Sequence, residues 1–115
     1  EKVTRINSIG YINNSPSVIT FRSIPHNRFP KFINYFVKKQ SVTKAFNLLN
    51  VKKIIRSKTL INAEISDKIK SNLLNIDVGK PLIKTTSINV DLNKIPIELS
   101  ESYFDGSKIQ ILVKI

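Results

Sequence analysis

Two stretches of the chain, residues 2–24 and 81–104, follow one plan: a strand-like run, a polar turn, a proline and a second strand-like run. Arg5 aligns with Lys84 and Ser8-Ile9 with Ser87-Ile88. With one extra residue in the second turn, Pro16 aligns with Pro96. Strands joined by so few residues pair antiparallel, because parallel neighbours need a crossover of about a dozen residues or more. Asn13-Asn14-Ser15-Pro16 and Asp91-Leu92-Asn93-Lys94 supply the turns. The repeat thus commits nearly half of the chain to antiparallel sheet.

The intervening residues read as short helices and one long strand. Phe29, Phe32, Ile33, Phe36 and Val37 fall at helical spacing on one face, with Pro30 suited to a first turn and Lys38 and Lys39 to a last one. Ser41 is an expected N-cap for a second helix that turns Val42, Phe46 and Leu49 inward, with Ala45 and Leu48 flanking. Residues 51–65 are β-rich. Ile55, Ser57, Thr59, Ile61, Ala63 and Ile65 share one face and a wetter set shares the other. Ser66 is expected to cap a helix that runs to about Ile76 and buries Ile69, Leu73 and Ile76, with Gly79 as its stop. Asp105-Gly106 predicts a hairpin turn and residues 109–115 a closing strand. The expected fold class is α+β, a mainly antiparallel sheet with a few short helices, as one domain over residues 1–115 with no linker.

Charge is unevenly spread. The chain carries a net charge of +11; residues 1–58 hold one acid and twelve bases, residues 59–115 seven of each. Two readings stand side by side. Fifteen of the nineteen bases are lysine, and Lys, Ile and Asn share A/T-rich codons, so composition alone could produce the excess. The other reading is a basic nucleic-acid-binding module, although only Arg5, Arg22, Arg28 and Arg56 offer the fork that phosphate recognition favours.

Other classes are excluded more sharply. Without cysteine there is no disulfide framework, thiolate metal site or thiol nucleophile, which fits the cytoplasm. His26 is the single histidine, which leaves no His-rich metal cluster, and the acids lack paired spacing, so a catalytic acid–base pair is hard to assemble; no enzyme, metal or cofactor is expected. No apolar run approaches the roughly 20 residues of a membrane span, and no membrane partner is expected. The repeat adds one expectation. Its second copy follows a helix and the turn Gly79-Lys80-Pro81, so a helix, and the strand before it, are expected upstream of the first copy.

An ordered series of motifs resembles a known family. Leu73 to Ile83 forms a leucine-bearing helix, a Gly-x-Pro turn and a strand. Asp91 to Ser102 carries Ile95-Pro96-Ile97-Glu98-Leu99-Ser100, followed by Tyr103-Phe104-Asp105-Gly106. Asn13-Asn14-Ser15-Pro16, the stretch from Ile24-Pro25 to Phe29-Pro30, and Ser41 complete it. The whole is similar to the C-terminal portion of the UTRA domain, the effector-sensing domain of HutC-type GntR transcription regulators. That resemblance implies a chorismate-lyase-like fold, a small polar or anionic metabolite as effector, and a sheet-mediated homodimer. It also implies DNA binding through an upstream winged helix absent from this chain.

The resemblance also implies site residues. In phosphosugar-binding relatives the first hairpin offers two arginines, which fall on Ser8 and Gly10 here, and a carboxylate that falls on Thr20. Arg5 and Arg22 are the candidates to replace the charge. Ser41 occupies the helix start that meets anions in the family, and it is equally a plain cap. Thr43 lies where a tyrosine often sits. Glu98 matches an acceptor for ligand hydroxyls; facing water, it is an ordinary surface acid. Phe104 completes the ligand-side set, and with Tyr103 it reads equally as core packing. A domain kept for dimerisation only is the companion reading.

Overall fold

The computed structural model describes residues 2–115. Eight elements follow in chain order: β1 (Val3–Ile12), β2 (Ser15–Pro25), α1 (Phe32–Lys39), α2 (Val42–Leu48), β3 (Ile55–Ile65), α3 (Lys68–Leu74), β4 (Pro81–Val90) and β5 (Pro96–Asp105). The strands form one antiparallel sheet in the order β1-β2-β5-β4-β3. Both repeat copies are hairpins. Asn13 and Asn14 take φ of 50° and 65°, the double left-handed turn that matches strand twist and that asparagine tolerates. The second turn is built on Asp91, whose Oδ1 accepts from the amides of Asn93 (2.8 Å) and Ile95 (3.1 Å).

Packing gathers the chain into two compact units. The first comprises Glu1–Ile6, Arg22–Thr59 and Ser87–Ser100. Its core is Ile6, Ile24, Phe29, Phe32, Ala45, Phe46, Val51 and Ile97. Phe46 sits between Phe32 and Phe29, with ring centroids 4.8 Å and 5.2 Å away. Burying each such ring is worth about 2–3 kcal/mol. These contacts hold α1 and α2 in place. Phe29 and Pro30 precede α1 rather than opening it, and Ile33 and Val37 stay exposed. In α2 Ala45 and Phe46 are buried, Val42 and the C-capping Leu49 pack against the same core, and Leu48 is exposed. Ser41 caps α2, its Oγ accepting from the Lys44 amide at 3.2 Å.

The second unit comprises Asn7–Phe21, Leu60–Thr86 and Glu101–Ile115. Ile19, Leu74, Leu82 and Tyr103 form its core, with Phe21 and Ile76 against it. Here three expectations are corrected. Asp67, not Ser66, caps α3, accepting from the Lys70 amide at 2.9 Å; Ser66 is buried and bridges the segment after α3, donating to Asp77 O and accepting from Lys80 N, both at 3.0 Å. The helix turns Ser71 and Leu74 inward and leaves Ile69 and Leu73 exposed. The cause is Lys70, whose amine lies 4.6 Å from the Tyr103 ring centroid, so a lysine occupies the packed face. Residues 109–115 form no strand. The turn after β5 uses up the reversing hydrogen bonds: the amides of Lys108 (3.0 Å) and Ile109 (3.2 Å) both donate to Asp105 O.

Candidate functional site

In the first unit a groove of about 600 Å³ opens beside α2. Val42, Thr43 and Asn47 of α2 form one wall. Lys52 and Ile54 come from the connector to β3, Arg56 from β3, Asn89 from β4 and Glu98 from β5. α2 stands there because Phe46 and Ala45 anchor its opposite face in the core.

Glu98 is the centre of this groove. It is only 6% exposed, and both carboxylate oxygens are engaged. Oε1 accepts from Asn89 Nδ2 at 2.8 Å, and Oε2 pairs with Arg22 Nε at 3.1 Å. Asn89 Oδ1 in turn accepts from Arg56 Nε at 3.2 Å. Arg22, Glu98, Asn89 and Arg56 sit on β2, β5, β4 and β3, consecutive neighbours in the sheet. The result is a polar row crossing four strands, with a guanidinium at each end and one carboxylate inside. Its net charge is positive, and Lys52 adds to it. Such a row orients its members in advance, so a ligand meets fixed donors and acceptors.

Of the residues expected from sequence, Thr43 and Glu98 line the groove and Arg22 holds Glu98. Glu98 is therefore not a surface acid. Ser41 adjoins the groove's α2 wall, its hydroxyl bonded to the Lys44 amide. Arg5 is exposed on β1. Thr20 and Phe104 belong to the second unit. There Thr20 is buried, its Oγ1 sharing a 2.9 Å hydrogen bond with Ser102 Oγ, and Phe104 is half-buried. At Gly10 a Cβ would come within 2.6 Å of Val18 Cγ1, so an arginine there would require Val18 to shift.

Asn89, Arg56, Asn47 and Lys52 were not among the expected residues. The available signal was parity: Asn89 and Glu98 flank the Asp91 turn, and Arg56 alternates with the apolar residues of β3. The groove has polar and cationic groups suited to binding, while Glu98, held by two partners, is poorly placed to shuttle protons. Among the described residues no three metal-capable side chains cluster, and no helix is long and apolar enough to cross a membrane.

A family model for the UTRA domain matches residues 1–110. No curated protein sequence matches the chain. Among solved structures it is similar to the C-terminal domain of Yurk from Bacillus subtilis, at 18% identity and a TM-score of 0.87, covering 97% of this chain and 77% of that one. It is also similar to the ligand-binding domain of a GntR-family transcriptional regulator from Bordetella bronchiseptica (16% identity, TM-score 0.86, 98% and 74% covered). A third is PhnF from Mycobacterium smegmatis (16% identity, TM-score 0.83, 98% and 50% covered).

Proposed function

Because the chain belongs to the UTRA domain family, we propose that it senses a small molecule for a bacterial transcription regulator of the GntR type, and that the groove beside α2 receives the effector. The observation that carries this reading is Glu98, a buried carboxylate aimed by Arg22 and Asn89 at a groove that also presents Thr43 and Arg56. Glu98 and Asn89 suit the hydroxyl or amine groups of a polar metabolite, and Arg56 with Lys52 suits an anionic end. No catalytic step is part of this reading.

The regulator's DNA-binding winged helix would lie upstream, and this chain spans half of PhnF from Mycobacterium smegmatis. Effector binding would favour one arrangement of a dimer over another through its differential affinity for the two. The exposed β3 edge suits the dimer contact, and a cytoplasmic location follows from work on DNA.

Thermal shift against phosphosugars, sugar acids and amino-acid derivatives tests the reading. At least one compound should raise the melting temperature, and Glu98→Ala should weaken its binding about tenfold or more, as expected when one charged hydrogen-bond partner is removed. Silence across the panel, or unchanged affinity in Glu98→Ala, would overturn it.

A further inference from the structure

The charge excess of the sequence falls almost wholly in one compact unit. Thirteen of the nineteen bases belong to the first unit, against Glu1, Asp91 and Glu98. Neither described acid neutralises a lysine: Asp91 pairs with Arg28 and Glu98 with Arg22. The lysines are arranged in series. Lys39 and Lys44 flank a groove that ends at Asn47. The Asn47 carbonyl accepts from Lys52 Nζ at 2.9 Å. Lys52, Lys53, Lys31 and Arg28 then line a second groove of about 600 Å³ that reaches the Asp91 turn. A band of cations thus runs from the end of α1 to the β4–β5 turn.

We propose that this band holds the phosphate backbone of duplex DNA, as a contact of the sensing unit itself. The chemistry selects this partner. Lysine is a flexible point charge suited to phosphate at any sequence, and the one arginine of the band is already engaged with Asp91 and lies over the Phe29 ring, 5.0 Å from its centroid. Single-stranded nucleic acid is bound by stacking bases on aromatic side chains, and the aromatic residue that lines the second groove, Phe29, is buried and covered by Arg28. The chain also belongs to a family of transcription regulators, which brings duplex DNA within reach. The band adds affinity without specificity; it shares Lys52 and Asn47 with the effector groove, while Lys39, Lys44, Lys53 and Lys31 lie outside that groove's lining.

The test is the salt dependence of binding to a fluorescent duplex of arbitrary sequence. Each phosphate that the protein ceases to neutralise lowers the slope of log K against log salt by about 0.9, so combined Lys39→Gln, Lys44→Gln and Lys53→Gln should lower it by about 2 to 3. A matched variant in the second unit, Lys68→Gln with Lys80→Gln and Lys114→Gln, should leave the slope unchanged. If the first variant melts early, Lys39→Gln alone should still lower the slope by about 0.9. An unchanged slope in the band variants overturns the proposal. So does displacement of the duplex by polyglutamate at equal charge concentration, which would assign the band to an acidic protein.

Discussion

Asp91 and Glu98 show how a basic stretch of chain accommodates its few acids: each is claimed by an arginine and then given a second task. Glu98 faces the groove, whereas Asp91 builds a turn. The Arg28 guanidinium, followed by the Ile95 and Asn93 amides, holds the Asp91 carboxyl below its ordinary value of 3.8. The native protein therefore binds this proton less readily than the unfolded chain does. Its stabilising effect is full above the ordinary value and is lost as pH falls through the depressed native one. Arg28→Gln should accordingly lower stability at neutral pH, and the difference from the unsubstituted protein should shrink below about pH 4. Urea midpoints across that range measure it; a difference that persists in acid would mean that Arg28 acts through packing on Phe29 instead.

At the scale of elements, what was legible depended on whether local signals had competitors. The hairpins were readable because Asn13-Asn14 and Asp91 dictate backbone geometry within a few residues. The face of α3 was not. Ile69 and Leu73 form an apolar pair at helical spacing, but the packed side is set by Leu74 and by Lys70 lying on Tyr103, a residue far along the sequence. Ser66 likewise looks like a cap until its buried hydroxyl is seen tying Asp77 to Lys80. Ser66→Ala should cost about 1 kcal/mol in chemical denaturation, because the Lys80 amide loses its side-chain acceptor and Asp77 O keeps only Ser71 Oγ, at 3.3 Å; a cost near zero would show that water replaces the hydroxyl. The same logic divides the candidate site. Thr43, Glu98 and Arg22 could be named in advance. Asn89 and Arg56 could not, because their place in the polar row depends on cross-strand register, which one sequence does not reveal.

For the whole molecule, the sheet leaves β3 at one edge with Leu60, Ile61 and Ile65 exposed. A long apolar edge is a template for another strand, and proteins protect such edges or pair them. If β3 pairs with a second copy, sedimentation should show a concentration-dependent dimer that Ile61→Lys or Leu60→Lys returns to a folded monomer whose melting temperature no longer depends on concentration. A dimer that survives both substitutions would place the interface elsewhere. The strand order has a different consequence at synthesis. Of the five strands β5 comes last in sequence, yet it occupies the centre of the sheet, between β2 and β4. Until it leaves the ribosome, the first hairpin has no neighbour on its inner side, and Glu98 and Ile97 are missing from the groove and the core. The sheet therefore forms through contacts distant in sequence, which fold more slowly than local ones.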